Sequence, residues 1–198
     1  KRHFSNVKSE SPMESLLTIE LNITELCNRT CVFCPRVDPK IYPNRNLNMT
    51  SGLVSRLIDE VERLNLGCRF SFSGYGEPLL HKQFPDLIQQ IRNRLPSNTI
   101  EVNTNGDRLD ATAIKTLFAS GLTYLYINLY DGPEQRPYFE RMISESGISM
   151  DCWKLRPHWV GAGDDFALTL NNRSGMVNAP EADIGPLEHA LEKRCHYP

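Results

Sequence analysis

Cys27, Cys31 and Cys34 bring three thiols into eight residues, within the stretch Leu26-Cys27-Asn28-Arg29-Thr30-Cys31-Val32-Phe33-Cys34-Pro35. Thiolates this close together can bite one multinuclear metal centre. Structural zinc takes four protein ligands, usually as two separated pairs, and here a single triplet stands without a partner pair. A four-iron cluster held by three cysteines leaves one iron open to a small-molecule chelate, which turns an electron carrier into a catalyst. A reading from another class uses the same thiols in a non-catalytic zinc-binding or iron–sulfur electron-transfer module, with a distant fourth thiol such as Cys68.

The elements that must hold this loop follow from hydrophobic periodicity. Residues 16–23 alternate at period two and predict a strand running directly into the cysteines. Thr50 caps a helix carrying Leu53, Leu57, Ile58, Val61 and Leu64 at the 3.6-residue period, with Gly67 as its end. A strand at 69–73 opens into Gly74-Tyr75-Gly76-Glu77-Pro78, and the next helix presents Phe84, Leu87, Ile88, Ile91 and Leu95 before Pro96. A strand at 99–103 ends in Thr104-Asn105-Gly106, and Asp110 caps a helix closed by Gly121. A strand at 122–129 ends in Tyr130-Asp131-Gly132, a helix at about 133–146 follows, and a strand at 148–155 leads to Arg156. Beyond it the pattern weakens: a turn at 161–165, a sixth strand at 166–170, and a short helix near 186–193.

This alternation predicts an α/β fold, a partial (βα)6 TIM-like barrel of parallel strands with outer helices at 16–170. A lead-in at 1–15 precedes it, and 171–198 begins a C-terminal extension. The chemically unusual residues each follow a strand, and in a parallel βα architecture those positions share one rim, where ligands bind. Glu77 there could equally be a turn acid before a proline, and Asn105-Gly106 is by itself a strong turn signal. Cys68 and Cys152 read as inert core thiols; His81, His158, His189 and His196 read as structural or solvated; Trp153, Trp159 and Tyr130 could line a substrate cavity at the rim, with ordinary packing the safer reading.

Composition narrows the partners. A net charge of −2, from 22 basic and 24 acidic residues, is no electrostatic footprint for nucleic acid. No apolar run reaches the roughly 20 residues that span a bilayer, so no membrane partner is expected. The six cysteines, at 27, 31, 34, 68, 152 and 195, are spaced unlike a secreted disulfide framework, and a reducing cytoplasm is the expected location. Both ends are abrupt, and an excerpt of a longer protein is expected.

The spacing Cys-x3-Cys-x2-Cys, with Phe33 before the last cysteine, resembles the radical S-adenosylmethionine (SAM) superfamily. Gly74-Tyr75-Gly76-Glu77-Pro78 is similar to that family's Gly-Gly-Glu-Pro motif at the end of the second strand, with Tyr75 in place of its first glycine. The resemblance implies a [4Fe-4S] cluster on Cys27, Cys31 and Cys34, with SAM chelated to the open iron and reductively cleaved to a 5'-deoxyadenosyl radical that abstracts a substrate hydrogen atom. It implies that Gly76 and Glu77 hold the methionyl ammonium of SAM. Asn103, Thr104, Asn105 and Asn128 would stand against its ribose or carboxylate, and Arg156 would pair with the carboxylate. A small-molecule or peptide substrate and a reducing partner such as flavodoxin or ferredoxin follow from the same likeness. Asn171-Asn172-Arg173-Ser174-Gly175, then Cys195-His196-Tyr197-Pro198, resembles the entry to a SPASM or twitch extension, in which Cys195 would begin the ligands of one or two auxiliary iron–sulfur clusters.

Overall fold

The computed structural model describes residues 16–31 and 34–158. Five strands, β1 (Thr18–Leu21), β2 (Arg69–Phe72), β3 (Ile100–Thr104), β4 (Tyr124–Leu129) and β5 (Trp153–Pro157), form one sheet in the order β1-β2-β3-β4-β5. Every neighbouring pair is parallel, with Glu20 opposite Ser71, Ser71 opposite Glu101 and Asn128 opposite Arg156. Four helices lie between the strands: α1 (Ser51–Arg63), α2 (Phe84–Arg94), α3 (Ala111–Ala119) and α4 (Gln135–Ser146). This is the partial parallel βα barrel expected from the periodicity. The sixth strand, the short helix near residue 190, the extension and Cys195 lie outside the described residues.

One face of the sheet is apolar and the other polar. Along β4, Leu125, Ile127 and Leu129 are buried, while Tyr124, Tyr126 and Asn128 on the alternate face are half-buried. The apolar face packs Phe70, Phe72, Ile100, Val102 and Ile127 against Val54, Ile58, Leu87, Ile91, Ile114 and Phe139 of the helices. Burying each such side chain contributes about 1.5–3 kcal/mol, so this layer holds the strands in register and leaves the concave face to polar residues. Among the described residues no helix is long and apolar enough to cross a membrane.

Caps set the helix starts as expected: Thr50 accepts from Leu53 N at 3.3 Å, and Asp110 accepts from Ala113 N at 2.7 Å. The ends differ in places. Gly67 does not stop α1; Asn65 takes the left-handed conformation (φ 51°), with Leu66 N bonded to Val61 O and Asn65 N to Glu62 O. That double bond satisfies the last carbonyls two residues earlier. β4 starts at Tyr124 because Leu122 N is spent on Leu117 O in the turn that closes α3. The fifth strand is displaced toward the C-terminus: Ser149 accepts from Asp151 N and starts a 3-10 turn at Met150–Cys152, and pairing begins only at Trp153. Two expectations change with it. Cys152 is a half-buried turn thiol and not core, and Arg156 lies within β5, not after it.

Candidate active site

The chain from Glu25 to Leu47 is a closed loop. Glu25 N bonds Leu47 O at 2.9 Å, Met49 N bonds Ile23 O at 2.8 Å, and Thr24 bridges Asn48, so the long excursion begins and ends at the mouth of β1. Inside it, Asn44 braces the first cysteine from both sides: its Oδ1 accepts from Cys27 N at 3.0 Å and its Nδ2 donates to Cys27 O at 3.2 Å. Cys27, Cys31 and Cys34 are free, half-buried thiols on the wall of one cavity of about 780 Å³. Burial first, and then the neighbouring thiols, push the Cys31 thiol up to about 11; burial also raises Cys27.

The end of β2 is pressed against this loop. Glu77 N bonds Leu26 O at 2.7 Å and Gly76 N bonds Asn22 Oδ1 at 3.1 Å. A Cβ on Gly76 would stand 1.8 Å from Thr24 O, so only glycine admits this backbone approach. Tyr75, in the place of a motif glycine, sets its ring edge-on to Tyr42 with centroids 5.2 Å apart.

Glu77 is 3% exposed, and its carboxylate binds inward. It accepts from the Thr104 hydroxyl at 2.6 Å, Asn105 N at 2.9 Å and Leu79 N at 3.1 Å, which fastens the end of β2 to the end of β3. A carboxylate has about four acceptor positions, so one remains on Oε2. Burial raises its pKa, and the three donors oppose that shift.

The remaining expected residues lie on the same cavity wall: Asn103, Thr104, Asn105, Asn128 and Arg156. Asn103 accepts from Arg156 Nη1 at 2.5 Å, and the Arg156 guanidinium lies 3.4 Å from the Tyr126 ring centroid. Asn128 Oδ1 pairs with His158 Nε2 at 2.9 Å, and His158 stacks on Tyr130. Of the two readings of Tyr130, rim lining and packing, the first holds: Tyr130 lines the cavity, where burial raises its hydroxyl pKa. Cys68 is not available as a fourth ligand, since it is buried just before β2, at the opposite end of that strand from the cysteine loop, with its carbonyl bonded to Asn98 at 2.7 Å.

Reading the sequence missed the residues that hold the loop. Arg29, between the first two cysteines, pairs with Asp107 at 2.6 Å and with Asp131 at 2.7 Å. Arg36, two residues beyond Cys34, donates to Asn44. A positive charge beside the thiols, in the otherwise uncharged stretch 26–37, was the available signal for both; Asn44 offered none.

A model of the radical SAM superfamily matches residues 21–154. The chain belongs to the radical SAM superfamily. Among its relatives is the S-adenosyl-L-methionine-dependent 2-deoxy-scyllo-inosamine dehydrogenase of Niallia circulans, 28% identical over 83% of this chain and 62% of that protein. Another is the GTP 3',8-cyclase of Pectobacterium atrosepticum, 32% identical over 68% of this chain and 42% of that one. The radical SAM chain thus spans less than two thirds of these relatives. In structure it is similar to the crystal structure of BtrN in complex with AdoMet and 2-DOIA, with a TM-score of 0.67 and 24% identity over 82% of this chain and 62% of that one. At that identity the likeness establishes the fold.

Family membership implies SAM and a [4Fe-4S] cluster, and the residues present fit both. Three free thiols share a cavity wall, and a buried arginine Nη1 beside them has no acceptor among the described residues. Three thiols on one loop are a donor set that an iron–sulfur centre accepts, whereas structural zinc takes four protein ligands.

Proposed function

We propose that the protein is a radical SAM enzyme that oxidises or otherwise modifies a small polar metabolite by hydrogen-atom abstraction. The observation that carries this reading is the meeting of Cys27, Cys31 and Cys34 with Glu77, Asn105 and Arg156 around one cavity at the C-terminal ends of parallel strands. Cys27, Cys31 and Cys34 would hold the cluster, which, when bound and reduced by a flavodoxin- or ferredoxin-type partner, would supply the electron for reductive cleavage of SAM and so the radical for hydrogen-atom abstraction.

The chain's own residues do the placing. Gly76 admits the close backbone approach, and Glu77 offers Oε2 and the adjacent backbone to the methionyl ammonium, a charge-assisted contact of about 1.5–3 kcal/mol when sheltered. Asn103, Thr104, Asn105 and Asn128 serve the ribose and carboxylate. Arg156, held by Asn103, supplies positive charge on the same wall. Glu20, Asn22 and Ser73 line the remaining wall with hydroxyl, amide and carboxylate groups, which supports a polar substrate; so does the aminocyclitol named for the Niallia circulans relative. Residues 171–198 as the start of a SPASM or twitch extension, with Cys195 on an auxiliary cluster, belong to the same proposal and rest on the sequence motif.

The test is anaerobic reconstitution of the full-length protein with iron and sulfide, followed by dithionite and SAM. Formation of 5'-deoxyadenosine and methionine is expected; a fully loaded protein that forms neither would sink the proposal. Iron per chain beyond one four-iron cluster, lost on Cys195→Ala, is expected if the extension holds a second centre.

A further inference from the structure

The Arg36 side chain has no ion pair among the described residues, although Arg36 is only 4% exposed. Its Nη2 donates to Asn44 Oδ1, its plane covers the Tyr42 ring at 5.2 Å, and its Nη1 is buried with no acceptor. A buried guanidinium with an unused donor is destabilising unless an acceptor or anion meets it. Asn44 ties this arginine to the first cysteine, because the same Oδ1 accepts from Cys27 N, and Arg36 and the three thiols line one cavity. The Tyr42 ring fixes the cation from behind, and Tyr75 fixes the ring in turn.

We propose that Arg36 is a positioning residue for electron entry: its Nη1–H donates to a sulfur of the cluster held by Cys27, Cys31 and Cys34 and stabilises the state one electron richer. This rests on the cluster assignment above. The step is a one-electron reduction by an external donor, dithionite in the test or a flavodoxin- or ferredoxin-type protein, with no proton moved and no bond broken. Three thiolates and the inorganic sulfides give the centre net negative charge, and the added electron increases it. A cation and an N–H bond on sulfur therefore favour the reduced form and raise its potential.

The test uses the full-length reconstituted protein and an EPR-monitored redox titration of wild type, Arg36→Gln and Arg36→Lys, with iron content and SAM affinity measured on each. Arg36→Gln is expected to move the midpoint potential to more negative values at full iron load, and Arg36→Lys to recover most of the shift. In parallel, wild-type protein carrying guanidino-15N arginine is expected to show a 15N coupling in the reduced-cluster spectrum that Arg36→Lys loses; this measurement stands even where Arg36→Gln fails to fold or load. An unchanged potential in a loaded Arg36→Gln, or no 15N coupling, overturns the assignment. So does SAM binding weakened tenfold or more at an unchanged potential, which would give the Nη1 donor to the SAM carboxylate. A wild-type protein with no SAM-responsive cluster overturns the functional reading itself, an outcome distinct from all of these.

Discussion

Arg29 Nη2 lies 2.6 Å from Asp107 Oδ1, and this contact fastens the middle of the cysteine loop to the turn after β3. The same guanidinium reaches Asp131 Oδ1 at 2.7 Å after β4, while neighbouring Asn28 donates to Asp107 Oδ2 at 2.6 Å and accepts from Asn105 Nδ2 at 3.0 Å. A loop that lies over the sheet is thus held to two further strand ends. The clamp is half-sheltered and two-pronged, so Arg29→Ala should cost about 1–2 kcal/mol in urea unfolding of the apo protein. A double-mutant cycle with Asp107→Ala should return a coupling of about 1 kcal/mol. Additive losses would argue that the pair forms no working clamp.

The Asp131 carboxyl is held below the usual range by its hydrogen bond to Arg29. A depressed folded value makes the stabilisation present above the unfolded pKa of about 3.9 and lost as pH falls through the folded value. Asp131→Asn should therefore be less stable than wild type at pH 7, and the gap should close as pH falls through the depressed folded value. A gap independent of pH would assign the loss to packing instead of charge.

The two classes of cysteine should separate cleanly. Cys27→Ala, Cys31→Ala and Cys34→Ala should each reduce bound iron to background while changing apo stability by less than about 1 kcal/mol, since these thiols are half-exposed on a loop. Cys68→Ser should keep the full iron load and lose about 1–2 kcal/mol, because it places a hydroxyl in a site that is 1% exposed. Iron analysis beside thermal unfolding checks both.

Thr104→Val removes the 2.6 Å donor to Glu77 Oε1 without changing shape. Leaving a buried carboxylate short of one donor should cost about 1–3 kcal/mol of stability, and SAM affinity should fall about tenfold as Glu77 loses its orientation. Calorimetric titration with SAM would show it; unchanged affinity would place Glu77 in a structural role only.

Gly76→Ala meets Thr24 O at 1.8 Å, a contact that only backbone separation can relieve. The expected result is loss of SAM binding along with more than about 2 kcal/mol of stability. An alanine variant that binds SAM normally would mean that the β1 and β2 loops can part at no cost.

Much of this architecture was legible along the chain. Leu125, Ile127 and Leu129 alternate with Tyr124, Tyr126 and Asn128, and Ile58, Val61 and Leu87, Ile88, Ile91 recur at helical spacing; burial follows those periods directly. Thr50 and Asp110 cap because a short polar side chain before a helix meets the nearest free N–H groups, which is a local matter. The cysteine triplet marked itself as a candidate metal-ligating loop through its spacing.

The rest required distant partners to meet. Asn65 ended α1 ahead of Gly67, and Ser149 diverted the expected fifth strand into a turn, because competing local bonds are close in energy and packing selects among them. Arg29 finds its aspartates 78 and 102 residues away, and Glu77 finds Thr104 27 residues away. No local period or composition encodes such pairs, since they form only when parallel strands bring their C-terminal ends to one rim. Short-range spacing could name the thiols, but the side chains that brace their loop reach it only because the parallel strands bring their ends together.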